Sequence, residues 1–100
     1  MRDAEPYTID DTALMKAAWG NRFAWDEKPV YVRLPSGVWC IASTHSMPHE
    51  PQHRTDNNFD GHLCIHFPRT AAQVASIGNY ATSHQKCLDA GWAKTQEMAR

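Results

Sequence analysis

The sequence predicts an α+β domain, a small antiparallel β-sheet with an N-terminal helix and a C-terminal helix packed on it. Three observations carry this. Residues 9–19 place apolar side chains at roughly helical spacing behind a capping signal, residues 29–42 hold two runs of strand formers around a turn, and residues 83–98 return to helix-forming composition. With 100 residues, the chain is expected to be a single domain, residues 1–100. A domain of this length buries roughly two-thirds of the surface that its unfolded chain exposes, enough for one modest core.

Each element has its own signal. Thr8-Ile9-Asp10-Asp11 offers Thr8 or Asp10 as a cap, Ile9, Leu14, Ala17 and Ala18 follow, and Gly20 stands where a helix stops. Phe23 and Trp25 are expected as core anchors, because aromatic rings bury the most area per residue. Pro29–Leu34 and Val38–Ala42 read as paired strands joined by Pro35-Ser36-Gly37. Thr44 to Gly61 is a long irregular connection, and a loop of that length in a compact domain is usually functional or disordered. His45 and His53 are expected on its solvated surface. Ala71, Ala72, Val74, Ala75 and Ile77 suggest a short helix ending near Gly78-Asn79. Ser83 is then a candidate cap for a last helix, with Cys87, Leu88, Ala90, Gly91 and Met98 on or near its packed face and His84 as a packed or capping residue.

Composition narrows the function. Net charge is −1 and the basic residues are dispersed, so neither nucleic acid nor a membrane surface is an expected partner. No apolar run approaches the roughly 20 residues of a membrane span. Residues 1–6 lack the apolar core of a signal peptide, so a cytoplasmic location is expected for the protein as encoded. Three cysteines, an odd number, argue against a disulfide framework, and Cys40 and Cys87 are expected as small buried apolar residues.

The anomaly is histidine. Of six, five lie between positions 45 and 66. In His62-Leu63-Cys64-Ile65-His66-Phe67 polar and apolar residues alternate, and a strand with period two sends Leu63, Ile65 and Phe67 to the core and His62, Cys64 and His66 to the other face. A thiol between imidazoles can be an activated nucleophile, a zinc ligand, or one of several packed polar groups. Residue types alone leave all three open.

A resemblance bears on the choice. Asp3-Ala4-Glu5-Pro6, Asp11-Thr12-Ala13-Leu14-Met15, Met47-Pro48-His49-Glu50, the run from Asp56 to Phe67 (with Gly61-His62-Leu63-Cys64-Ile65-His66 inside it) and Ser83-His84-Gln85 resemble a domain at the C-terminal end of many bacterial, largely clostridial, extracellular proteins that often carry cell-wall-binding modules. The likeness spans about residues 3–93 and is most specific in its middle third. That pattern is in turn similar to the active-site motif of L,D-transpeptidases, in which an upstream His precedes a His-x-Cys. Those domains have further strands upstream, so a shortened or partner-completed relative is expected.

The resemblance implies Cys64 as nucleophile, His49 as general base, and His62 as a residue that positions the acyl group. It further implies an oxyanion stabilised by backbone N–H groups around Leu63 and Cys64, no cofactor, a peptidoglycan-like peptide substrate, and a cell-wall setting. The first expectation is therefore a thiol-dependent acyl transferase or amidase acting on peptidoglycan-type peptides. The second is a zinc-binding, peptidase-like domain with His49, His62, Cys64 and His66 as ligands, since the His-rich strand also resembles zinc peptidases of the cell wall. Arg2 there stands where a first His ligand would be. The third is a non-catalytic binding or inhibitor protein of phage or mobile-element origin, acting on a protein partner. A homodimer is compatible with all three.

Overall fold

The structure, a computed structural model, describes residues 2–49, 52 and 54–99. It is an α+β fold whose strand pairing is antiparallel. In chain order the elements are β1 (Arg2–Ala4), α1 (Ile9–Ala18), β2 (Lys28–Arg33), β3 (Trp39–Thr44), β4 (Leu63–His66), α2 (Ala71–Ile77) and α3 (Asn79–Met98). The chain folds as two compact units, one built from residues up to Asp26 with His45–Ile65, the other from Glu27–Thr44 with residues from His66 onward.

In the first unit β1 pairs with β4, setting Arg2 opposite Ile65, Asp3 opposite Cys64 and Ala4 opposite Leu63. Helix α1 begins as expected at Thr8, whose hydroxyl accepts from Asp11 N–H while the Asp11 carboxylate accepts from Thr8 N–H. Its buried residue is Thr12, which donates to the Asn57 carbonyl, while Ile9 and Leu14 stay exposed. The core is made instead by Trp19, Ala24, Phe59 and Leu63, with the Phe23 ring edge-on to Phe59 at 5.4 Å. Trp19 is held by its indole N–H, which donates to the Asp26 carbonyl at 2.7 Å.

The long connection is anchored rather than loose. Asn57 is fully buried, its amide donates to the Pro6 carbonyl at 2.8 Å, and its side-chain oxygen accepts from Phe59 N–H at 3.2 Å. One side chain thereby ties the loop to the N-terminal segment and seats Phe59. Near its start, Ser46 N–H donates to the Ala24 carbonyl and Ser46 Oγ accepts from Ala24 N–H, both at 2.9 Å. Trp25 does not become a core anchor: 53% of it remains exposed.

In the second unit β2 and β3 form the expected hairpin, in register from Lys28 opposite Thr44 to Arg33 opposite Trp39. Thr70 caps α2 through a reciprocal pair with Gln73. Helix α3 starts at Asn79, earlier than the cap expected at Ser83, because Gly78 adopts φ +100° and lets a new helix begin directly after α2. Ser83 is then inside the helix and its hydroxyl donates to the Glu27 carboxylate. The inner face of α3 is Ala81, His84 and Leu88, continuing through Gly91 and Thr95 at three- and four-residue spacing, whereas Ala90 and Met98 are exposed. Gly91 is required by closeness: a Cβ there would lie 2.9 Å from Pro29 Cγ and closer still to Pro29 Cβ. Cys40 and Cys87 are half-buried, and all three cysteines are free thiols. Among the described residues no helix is long and apolar enough to cross a membrane.

Candidate functional site

The site lies in the first unit and is assembled by backbone pairing. Just before β4, His62 forms an antiparallel bridge with His49, with His49 N–H donating to the His62 carbonyl at 3.0 Å and His62 N–H donating back to the His49 carbonyl. Gly61 makes this approach possible. Its φ is +147°, and a Cβ on it would fall within 2.6 Å of the His49 backbone N and C. The bridge sets the His49 and His62 rings 4.3 Å apart. Two residues on from His62, Cys64 shares its strand face, and Asp3 stands opposite Cys64 in β1.

The resulting contacts form a chain. His49 Nε2 lies 3.3 Å from Cys64 Sγ, Cys64 Sγ lies 3.7 Å from Asp3 Oδ1, and Asp3 Oδ1 lies 3.5 Å from His62 Nε2. His49 Nδ1 is 3.1 Å from the Met47 carbonyl. A carbonyl only accepts, so Nδ1 carries the ring proton and Nε2 presents its lone pair to the thiol. Trp25 covers this arrangement, its ring centroid 4.7 Å from that of His45 and 5.2 Å from that of His49.

The residues expected at the site are therefore placed as follows. Cys64, His49 and His62 come together. His66 belongs to the second unit, where its ring stacks on His84 and its Nδ1 accepts from Arg69. The row of His62, Cys64 and His66 is extended as expected, yet it does not face away from the interior. His62, Cys64 and His66 are all buried, and so is Leu63. His45 is likewise fully buried, its ring tilted against that of His49 at 5.1 Å, rather than solvated. Glu50, Pro51 and His53 lie outside the described residues.

Two three-residue groups bring metal-ligand atoms within 4.8 Å of one another, His45 with His49 and Cys64, and Asp3 with His62 and Cys64. Cys64 is common to both, and each group differs from the set of His49, His62, Cys64 and His66 expected for zinc. Asp3 and His45 are the site residues that local sequence reasoning missed. Asp3 reaches the site only through the β1–β4 register, 61 positions from Cys64.

Burial pushes the Cys64 thiol up to about 11, and the Asp3 carboxylate adds to the effect. The resting group is thus the neutral thiol, and any nucleophilic role requires the proton to leave as the sulfur reacts.

In the second unit, His66 and His84 stack face to face, with ring centroids 3.7 Å apart and planes within 5°, and the Tyr80 ring meets both edge-on at 4.9 Å. Arg69 donates to His66 Nδ1 at 2.9 Å. Ser43 Oγ at 2.7 Å and Glu27 Oε2 at 3.2 Å both converge on His84 Nδ1. A hydroxyl–imidazole–carboxylate relay needs the two partners on opposite ring nitrogens. These share one, so the group is a packed polar core. Burial lowers His84 to about 4, with the Arg69 charge contributing, and burial raises Glu27.

Comparison with protein-family models, curated proteins and solved structures found no match to the chain.

Proposed function

We propose that the protein is a thiol-dependent acyl-transfer or amide-cleaving domain, with Cys64 as nucleophile and His49 as base. The observation that carries this is the relay from the Met47 carbonyl through His49 to Cys64 Sγ, at 3.1 and 3.3 Å. It has the three parts of an activated nucleophile: the attacking atom, a base within reach, and a third group that fixes the tautomer of the base. In the proposed step the Cys64 proton passes to His49 Nε2 as Sγ bonds to the carbonyl carbon and the carbonyl electrons move to oxygen. Collapse of that intermediate breaks the C–N bond, and the departing amine takes the proton from His49. An acceptor amine or water then releases the acyl group from sulfur. The high thiol pKa fits this order, because the proton moves in the reaction rather than beforehand.

His62 serves as a positioning residue beside the pair. The likeness to L,D-transpeptidases supports a peptidoglycan-type peptide as the acyl donor. Incubation with muropeptide stem fragments should place an acyl adduct on Cys64, visible by intact-protein mass spectrometry. Cys64→Ala should abolish the adduct, and His49→Gln should slow it by roughly 10²–10⁴. If no adduct forms, and Cys64 is no more reactive toward a mild electrophile than Cys40 or Cys87, the binding-protein reading takes its place.

A second reading, a resident zinc centre of peptidase type, is favoured by the position of Cys64 in both ligand groups. Each group supplies three protein ligands, the number that leaves one position open for water or substrate in catalytic zinc sites. Protein purified without added metal decides: stoichiometric zinc that resists a chelator puts this reading first.

A further inference from the structure

We propose that His45, His49 and Cys64 form a reversible zinc site that switches the nucleophile off. The inference rests on the thiol reading above and adds to it a ligand and a mode of regulation.

The geometry suits the ion. Ligand atoms of the three residues lie within 4.8 Å of one another, and the edge between His49 Nε2 and Cys64 Sγ is 3.3 Å. For zinc bound tetrahedrally at about 2.0–2.1 Å from nitrogen and about 2.3 Å from sulfur, the nitrogen–sulfur edge is about 3.5 Å. Little movement is needed on that edge. The protonation state is also prepared, because the Met47 carbonyl holds the His49 proton on Nδ1 and leaves Nε2 as the ligand atom. His45 and His49 are restrained by each other and by Trp25, so less ring freedom is lost on binding.

The chemistry selects the metal. Two imidazoles and a thiolate are borderline-soft donors that suit zinc and not magnesium or calcium. Binding converts the Cys64 thiol to a metal-bound thiolate and releases one proton to solvent, with both imidazoles neutral. The ion then occupies the lone pair that His49 needs as base and the sulfur that Cys64 needs as nucleophile. The group of Asp3, His62 and Cys64 competes for the same sulfur, but the Asp3 side chain is 58% exposed, whereas His45 is fully buried. The His45 group is the better shielded from water, so it is the site assigned.

The test uses the full chain after treatment with a chelator. Alkylation of Cys64 by iodoacetamide is followed by mass spectrometry with and without buffered zinc chloride. Zinc should slow alkylation at least tenfold, and the chelator should restore the rate. In His45→Phe, which keeps a ring beside Trp25 and loses the donor, the zinc concentration for half protection should rise at least tenfold, measured against that variant's own zinc-free rate. Asp3→Asn should not raise that concentration, because loss of the carboxylate eases formation of the metal-bound thiolate. Cobalt(II) in place of zinc should give a thiolate charge-transfer band that His45→Phe weakens and Cys64→Ser removes, a readout that does not need a reactive thiol. Reactive Cys64 with no protection by zinc, or protection lost in Asp3→Asn and kept in His45→Phe, overturns the zinc switch and leaves the thiol reading standing. Unreactive Cys64 with an intact, His45-dependent cobalt band upholds the metal site and removes the thiol reading. Absence of both reactivity and band removes the two together.

Discussion

Asp3 faces Cys64 across the β1–β4 ladder, with its Oδ1 3.7 Å from the thiol sulfur. A carboxylate in that place opposes thiolate formation, so the pair holds the nucleophile protonated until a base takes the proton. Asp3→Asn removes the charge and keeps the shape. The carboxylate is more than half exposed, and water screens it, so the effect should be modest. Alkylation of Cys64 in metal-free buffer near neutral pH should rise by about two- to tenfold, one unit of pKa corresponding to a tenfold change in thiolate. An unchanged or slower rate would show that burial alone sets the thiol.

Gly61→Ala tests the bridge that brings His49 to the site. An added methyl would collide with the His49 backbone at a φ that side chains rarely adopt, so the two segments must part. The expected cost is about 2–4 kcal/mol in urea unfolding, together with loss of the reactivity difference between Cys64 and Cys40. Wild-type stability and reactivity in this variant would show that the His49–His62 bridge does not organise the site.

How far the sequence carried the structure depends on the range of each interaction. Helix α1, the β2–β3 hairpin and α2 follow from signals a few residues apart: the Thr8–Asp11 and Thr70–Gln73 caps and the turn before Val38. The start of α3 was misread because Ser83 looks like a cap, while the conformation of Gly78 and the Glu27 carboxylate decide its actual role. At the site, the pairing of His49 with Cys64 was legible through the motif. The places of Asp3, His45 and Trp25 were not, because strand register and long-range ring packing fix them and leave no periodic trace. The alternation around Cys64 identified a strand correctly and its exposed face wrongly, since β4 carries buried residues on both faces.

Phe59 sits in the segment that reads as irregular, yet it is fully buried with Phe23 against its face. Phe59→Ala should cost about 3–5 kcal/mol, a large part of the roughly 5–15 kcal/mol that holds a domain folded. Urea denaturation should show the midpoint falling accordingly. A loss below about 1 kcal/mol would mean that the loop contributes little to the first unit.

The His66–His84 stack predicts a dependence of stability on acid. His84 titrates at about 4 in the folded chain against about 6.5 unfolded, so between those values the unfolded state binds the extra proton. Stability then rises with pH across the window: the contribution is complete above about 6.5 and is lost as pH falls toward about 4. The His84 side chain is 1% exposed, and the loss for this one group amounts to roughly 3 kcal/mol. Of its neighbours, Arg69 opposes a second positive charge. Glu27 acts with opposite sign, because the folded state keeps its proton to higher pH than the unfolded state does, so its contribution falls as pH rises above the usual carboxylate range. Urea midpoints measured from pH 7.5 to pH 4 should therefore fall on acidification in the wild type, fall less steeply in His84→Gln, and fall more steeply in Glu27→Gln. An identical slope in the wild type and His84→Gln would show that the stacked pair is not what acid attacks.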